Sequence, residues 1–374
     1  MKILILNLVA FSHMGGVEKV SRILAKAGYD IARELGASIM NLSMYDTNHD
    51  SRYCPSEFYK GFGKDTFKFI WNAINQGRNA EFLILTHINL ALPALLIKFI
   101  NPSVKIFLIA HGIEIWAPLT KIQARLLKSC YKILAVSKYT KKRIGDTYPS
   151  TKKKIDVLNN CLDPFYVPAT TFEKPEYLQK RYGIKEGEKV MITLCRLVST
   201  EKYKGYDTVI ESLAELKKDF RLKYVLLGKY DDVEYSRLSS IIEQECLQEQ
   251  VILAGFVKDE ELADHFLLGD LFIMPSVKEG FGIVFIEAAA SGMPVIAGNK
   301  DGSVDAMLDG RLGPLVEPFD KNDIRKAIAS VFHNPPHPKT QQYLALNHFN
   351  YTTYKDKLKS AMLEVERITA NVNS

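Results

Sequence analysis

Glu279 and Glu287 stand eight positions apart in Lys278-Glu279-Gly280-Phe281-Gly282-Ile283-Val284-Phe285-Ile286-Glu287-Ala288. Two carboxylates thus flank a glycine pair at the border between a turn and an apolar run. The run from Gly282 to Ser291 is rich in Ile, Val, Phe and Ala, and Gly292 with Pro294 stops it. That pattern predicts a short buried helix. The preceding run, Leu271-Phe272-Ile273-Met274-Pro275-Ser276, reads as a strand ended by turn residues. Glu279 then falls in the loop before the helix, and Glu287 about one and a half turns inside it, ~7–8 Å along the axis. Between them lie the first-turn backbone N–H groups of residues 281–284 and the positive end of the helix dipole. Carboxylates accept hydrogen bonds from hydroxyls, and a row of N–H groups cradles an anion, so the arrangement suits a sugar, a diphosphate and a ribose. Glutamates at this spacing are also common as solvated surface charges. Glu287 differs from those as the only charge in an apolar helix, where a charge is seldom buried without a partner.

Other chemistry-bearing residues sit at predicted strand ends. Ser12-His13-Met14-Gly15-Gly16-Val17-Glu18 follows the first strand, and its two glycines allow a ligand close to the backbone, or simply a tight turn. The pattern is not G-x-G-x-x-G, so a dinucleotide cofactor is not indicated. Ala110-His111-Gly112-Ile113-Glu114 follows another strand, and Glu114 can orient a hydroxyl or cap the next helix. Ser137 ends a further strand, with helix capping as its main expected role. Basic residues cluster in Arg196-Leu197-Val198-Ser199-Thr200-Glu201-Lys202-Tyr203-Lys204-Gly205, where Lys202 rivals Lys204. Gly228 and Gly255-Phe256-Val257 close two more strands.

The segment Asp270 to Gly298, with Glu279 and Glu287 matching a Glu-x7-Glu pattern, resembles the retaining GT-B glycosyltransferases of family 4 (group 1 glycosyltransferases). The other landmarks follow in the family's order, so the resemblance covers most of the chain. It implies a metal-independent enzyme that moves a hexose from a nucleoside diphosphate sugar to a hydroxyl of a polysaccharide or glycolipid. UDP-glucose-type donors are favoured over GDP-mannose. By the same resemblance Arg196 and Lys204 hold the diphosphate, whose charge grows as the glycosidic bond breaks. Glu287 takes the ribose hydroxyls, Glu279 the sugar, and His111 the sugar or its transition state from the other domain. Gly280, Phe281, Gly282 and Ile283 line the donor, Gly255 and Phe256 meet the base, and Gly15 and Gly16 approach the diphosphate and the acceptor. The implied mechanism is front-side attack, with the departing phosphate helping to deprotonate the acceptor. The chain departs from the family after the strand at 294–297, where Asp301 replaces a glycine and Asp305 a glutamate. That substitution bears on the sugar contacts. No Asp-x-Asp tripeptide occurs, so no metal-held diphosphate and no other cofactor is expected.

Strands must position these residues. A chain of 374 residues, 47% hydrophobic and 25% charged, is globular and long enough for two domains. Apolar strands alternate with amphipathic stretches, the sequence form of parallel α/β sheets. The first half reads as strands at 2–10, 37–43, 81–87, 104–110, 132–137 and 155–159, with 44–65 an irregular loop. The second half reads as strands at 189–196, 223–228, 251–254, 271–276, 294–297 and 314–316. The expected fold is GT-B: two Rossmann-like domains with parallel sheets facing a central cleft. Residues 1–165 form the acceptor-side domain and 188–350 the nucleotide-sugar domain. A linker of residues 166–187 lies in the proline-bearing stretch from Asp163, and a last helix at about 351–374 packs back on the first domain.

Five scattered cysteines without a C-x-x-C pair argue for reduced thiols in the cytoplasm. The apolar start, with an internal Asn7 and no small-x-small cleavage site, reads as a buried strand rather than a signal peptide. No apolar stretch reaches membrane-spanning length. Charge is uneven. Residues 1–168 hold 23 basic and 12 acidic side chains, and Pro118 to Lys154 holds eleven basic residues against Asp146 alone. This is either a solvated basic surface or a peripheral dock on anionic lipid at the inner face of the cytoplasmic membrane. Leu92 to Ile100 can add an apolar element there, though a packed core helix is the expectation. No nucleic-acid module accompanies the charge. Two rival activities use the same architecture: a nucleotide-sugar epimerase, and a non-catalytic subunit that binds sugar nucleotide.

Overall fold

The computed structural model describes residues 1–372 except Met14, so Met14 of the glycine turn and Asn373 and Ser374 of the last predicted helix lie outside the described residues. The chain divides into two compact units: Met1–Phe165 with Phe349–Ser374, and Tyr166–His348.

Unit 1 alternates strands and helices. Its strands are β1 (Lys2–Asn7), β2 (Ser38–Ser43), β3 (Tyr59–Gly61), β4 (Phe82–Leu85), β5 (Lys105–Ala110), β6 (Lys132–Ala135) and β7 (Ile155–Val157). Between them run α1 (Gly16–Glu34), α2 (Thr66–Gly77), α3 (Ala91–Ile100), α4 (Ile113–Trp116), α5 (Lys121–Ser129) and α6 (Lys138–Thr147). The seven strands pair in parallel in the order β3-β2-β1-β4-β5-β6-β7. The strand order reverses between β1 and β4, which places their carboxyl-end loops side by side. The strand runs are apolar at nearly every position because helices cover both faces of the sheet.

Unit 2 repeats the plan. It contains α7 (Glu176–Arg181), β8 (Lys189–Leu194), α8 (Tyr206–Leu216), β9 (Leu222–Leu227), α9 (Asp232–Gln244), β10 (Val251–Gly255), α10 (Asp259–Leu268), β11 (Leu271–Met274), α11 (Ile283–Ala290), β12 (Val295–Gly298), α12 (Ser303–Ala306), β13 (Leu315–Val316), α13 (Lys321–His333) and α14 (Pro338–His348). The sheet order is β10-β9-β8-β11-β12-β13, so the reversal falls between β8 and β11. The last helix, α15 (Tyr351–Val372), belongs to unit 1. Tyr351 Oη donates to Asp30 Oδ2 at 2.6 Å, and Lys359 pairs with Glu34 at 2.8 Å, both acceptors on α1.

Three local expectations change. The stretch 44–65 is not wholly irregular, since Tyr59–Gly61 adds the edge strand β3 beside β2. Three residues are too few to show an alternation pattern, and tertiary contacts hold them. Tyr59 Oη donates to the buried carboxylate of Asp46 at 2.5 Å, and a Cβ at Gly61 would meet Asp46 O at 2.3 Å. The stretch read as linker contains the helix α7. Finally, α3 is not a wholly packed core helix. It buries Ala91, Pro93, Ala94 and Ile97, and leaves Leu92, Leu96, Phe99 and Ile100 exposed. Only one of its faces meets the sheet, and the sequence made the other face apolar as well.

Asp46 also fixes the loop after β1. Its carboxylate accepts the N–H groups of Ala10, Phe11 and Ser12 at 2.8–3.1 Å, and the Ser43 hydroxyl at 2.7 Å. Burial raises the Asp46 pKa, but the Tyr59 and Ser43 hydroxyls and these N–H groups outweigh it and hold the carboxyl below its usual range. Asp46→Ala would leave the buried donors of Ala10, Ser43 and Tyr59 without an acceptor, at about 1–3 kcal/mol each. Urea unfolding should show a loss of roughly 3 kcal/mol or more; a loss under about 1 kcal/mol would mean that the loop is held otherwise.

Candidate functional site

The reversal between β8 and β11 brings two carboxyl-end loops together in unit 2, and both carry residues singled out in the sequence. The loop after β8 contains Arg196 and ends in a short 3-10 turn, Lys202–Lys204. Gly205 follows in the left-handed region at φ 78°, where a Cβ would lie 2.4 Å from Pro275 O of the loop after β11. Glycine therefore lets the two loops approach. The consequence falls on Lys204: its ammonium reaches Glu279 and forms an ion pair with it, both side chains about 15% exposed. Lys202 stays exposed. Burial works against the charge on Lys204, but the Glu279 carboxylate outweighs it, so the lysine is held above its usual range.

Glu279 is braced from a third loop. Asp301, after β12, is 2% exposed, and its Oδ2 accepts the Glu279 N–H at 2.6 Å. Its Oδ1 accepts the Ser303 N–H at 2.9 Å, and Gly302 N–H donates to Glu279 O at 2.9 Å. A Cβ at Gly302 would lie 2.0 Å from Gly280 O, so glycine permits this backbone contact. The sequence marks Asp301 as a departure from the family pattern, but not as a brace. No spacing rule links position 301 to 279.

The helix after Glu279 is one residue shorter at each end than the run 282–291. Gly282, at φ 81°, is its N-cap, and Ile283 its first residue. Glu287 is the fifth residue, half-buried, about one turn into α11. It lies near Tyr166, whose hydroxyl is 3.2 Å from Ser291 Oγ. Phe281 is buried and packs as a core side chain.

Arg196 does not reach the Lys204 pair through any hydrogen bond or salt bridge described. It forms an ion pair with Glu201, with the guanidinium exposed and Glu201 nearly buried. Glu201 Oε2 has no hydrogen-bond partner in its buried position. Sequence reading passed over Glu201 because a glutamate in a basic loop looks like surface. Gly255, at φ 75°, closes β10, and its carbonyl accepts the Gly228 N–H at 2.8 Å. Phe256 beside it is 59% exposed.

In unit 1 the loops after β1, β4 and β5 lie at neighbouring strand ends. Gly15 and Gly16 open α1, and a Cβ on Gly15 would meet the Glu18 carboxylate at 2.3 Å. His111, after β5, is almost buried, and its Nε2 lies 2.7 Å from Thr86 O after β4. A carbonyl only accepts, so Nε2 carries a hydrogen and Nδ1 is the nitrogen left for other chemistry. Neutral His111 then offers an acceptor at Nδ1, and only imidazolium offers a donor there. Glu114 Oε1 accepts the His111 N–H at 2.7 Å, which fixes the turn. Ser137 caps α6, its hydroxyl accepting the Thr140 N–H at 3.0 Å. Among the described residues no group of three or more His, Cys, Asp or Glu side chains is placed to hold a metal ion.

Burial, reinforced by the charge of Glu279, raises the Asp301 pKa from 3.8 to about 7. The native state therefore keeps a proton that the unfolded chain gives up near pH 4, so stability falls as pH rises across that window. Asp301→Asn removes this titration. Between pH 5 and pH 8 the melting temperature of the wild type should fall more than that of the variant, because each tenfold difference in proton affinity between the two states is worth about 1.4 kcal/mol. Parallel curves would show that Asp301 titrates normally.

Comparison with known proteins fits this arrangement. Residues 176–348 match the model of the family described as Glycosyl transferases group 1. The chain is 29% identical over 245 residues to a GDP-mannose-dependent alpha-(1-6)-phosphatidylinositol monomannoside mannosyltransferase of Mycolicibacterium smegmatis, covering 60% of each chain. It is also 29% identical over 221 residues to mannosylfructose-phosphate synthase of Agrobacterium fabrum, covering 57% of this chain and 48% of that one. The chain thus spans about half to three-fifths of these curated relatives. Anabaena HepE in complex with UDP and glucose has the same fold with a TM-score of 0.76 at 17% identity, over 97% of this chain and 100% of that one. Sucrose-phosphate synthase of Thermosynechococcus elongatus gives 0.74 at 16% identity, over 99% and 100%. The likeness shows the fold, two units with parallel sheets of the GT-B type. Residues 176–348, which hold the β8–β11 reversal and its Lys204–Glu279 pair, are thus the part of the chain that matches the group 1 glycosyl transferase model.

Proposed function

We propose that this chain is a metal-independent, retaining glycosyltransferase that moves a hexosyl group from a nucleoside diphosphate sugar to a hydroxyl of a glycan or glycolipid. The observation that carries this reading is the half-buried Lys204–Glu279 pair, held at the strand-order reversal of unit 2 and braced by Asp301. A lysine kept charged beside a carboxylate matches a donor that is an anion next to a sugar. Lys204 meets the diphosphate, where negative charge grows as the bond from C1 to the phosphate oxygen breaks. Glu279 accepts from sugar hydroxyls and stabilises developing positive charge at C1. Glu287, about one turn into α11, takes the ribose hydroxyls, with the loop 280–283 between the two carboxylates. Arg196 is exposed and can leave Glu201 for a phosphate.

In the proposed step the electron pair of the C1–O bond leaves with the diphosphate. An acceptor hydroxyl forms the new bond on the same face, and its proton passes to the departing phosphate oxygen. Retention follows from that shared face. UDP-glucose-type donors are favoured, in keeping with the UDP complexes of HepE. GDP-mannose is the second reading, because the similar mycobacterial enzyme is named GDP-mannose-dependent.

Melting temperature should rise with UDP and less with GDP, and EDTA should not change the rise, since binding stabilises in proportion to occupancy. A GDP-selective rise would move the donor to mannose; no rise with UDP, GDP or ADP would overturn the site. Glu279→Ala should cut turnover on the order of a hundredfold or more while nucleotide binding changes little. Near wild-type turnover would end that role. Glu287→Ala should weaken free-nucleotide binding by roughly tenfold, about 1.4 kcal/mol, and an unchanged dissociation constant would argue against ribose contact.

A further inference from the structure

α2, α3 and α5 lie side by side on one face of the unit 1 sheet, and their inner residues Phe69, Ala73, Ala94, Ile97, Leu126 and Leu127 share one core. Their outer faces therefore form a continuous surface, and it is apolar where solvent would favour charge. Phe67 and Trp71, one turn apart on α2, are 89% and 65% exposed. Phe99 of α3 is 84% exposed, and Leu92, Leu96 and Ile100 run along the same side of that helix at four-residue spacing. A surface with this many large exposed apolar side chains marks a contact face.

Charge beside the patch says what it contacts. α5 presents Lys121, Arg125 and Lys128 at four- and three-residue spacing, all exposed. The 3-10 turn at Pro149–Lys154, next to α5, adds exposed Lys152 and Lys153. Asp65, at the head of α2, is paired with Lys68 at 2.9 Å. Protruding aromatic and aliphatic tips on helices lying flat, flanked by basic residues, suit the boundary between headgroups and acyl chains. Two copies meeting by this face would bring their basic rows together, which like-charge repulsion opposes. No helix among the described residues is long and apolar enough to cross a membrane, so contact of this kind is superficial.

We infer that the outer face of α2, α3 and α5 docks unit 1 on an anionic lipid bilayer, with Phe67, Trp71 and Phe99 inserted and the α5 cations against acidic headgroups. The surface shares no residue with the proposed transfer site, and its test reads binding instead of turnover. The full chain is sedimented with vesicles of phosphatidylcholine alone and of phosphatidylcholine with phosphatidylglycerol, at low and high salt. Binding should require phosphatidylglycerol and weaken with salt. Phe67→Ser/Trp71→Ser/Phe99→Ser and Lys121→Glu/Arg125→Glu/Lys128→Glu should each lower affinity roughly tenfold or more, with unchanged thermal unfolding because all six side chains are at the surface. In a Trp116→Phe background, Trp71 emission should move to shorter wavelength on binding. Failure to bind anionic vesicles, or equal binding by the serine variant, would overturn the inference. So would a wild-type dimer, seen by light scattering, that the serine variant converts to monomer, since that assigns the face to a second copy.

Discussion

An ammonium only about 15% exposed needs a counter-charge, and Glu279 supplies it to Lys204. The constraint reaches well beyond the pair. Lys204 can be inside only because Gly205 adopts a left-handed conformation against Pro275 O. Glu279 is held because Asp301 takes its N–H and Gly302 lets the two backbones touch. Loops from β8, β11 and β12 are therefore tied at one point by one charge balance. Removing one partner alone would leave the other charge half-buried and unpaired, which costs more than the pair contributes.

Parallel sheets make such a point available twice. In each unit the strand order reverses once, between β1 and β4 and between β8 and β11, and loops diverge from neighbouring strand ends there. Unit 1 fills its loops with a turn pinned by Asp46 and with a histidine whose tautomer Thr86 O fixes. Unit 2 fills its loops with charge. The same architecture thus carries two chemically different edges, one mostly backbone and hydrogen bond, the other an ion pair in low dielectric.

Local periodicity made much of this legible. The strands from β4 to β13 are apolar runs bounded by turn residues, and the reading of parallel α/β sheets followed from their alternation with helices. His111 stood out as a polar residue at the end of such a run, Glu279 as a carboxylate before an apolar helix, and Lys204 as one of a basic cluster that resembles the family's. Edge strand β3 did not, because three residues held by Tyr59–Asp46 have no period of their own. Asp46 was silent, a single acid whose partners at residues 10–12 lie some 35 residues away, and Asp301 stood out as a departure from the family pattern but not as a brace.

The sequence by itself determined which residues become strands, which loops follow them and that two sheets of parallel strands result. Those outcomes depend on burial patterns a few residues long. Tertiary structure alone decided that Lys204 and not Lys202 faces Glu279, that Asp301 braces Glu279, and that the apolar run of α3 stands half outside the core. These depend on which distant strand lies next door, and side-chain partners across 75 residues leave no mark on local spacing.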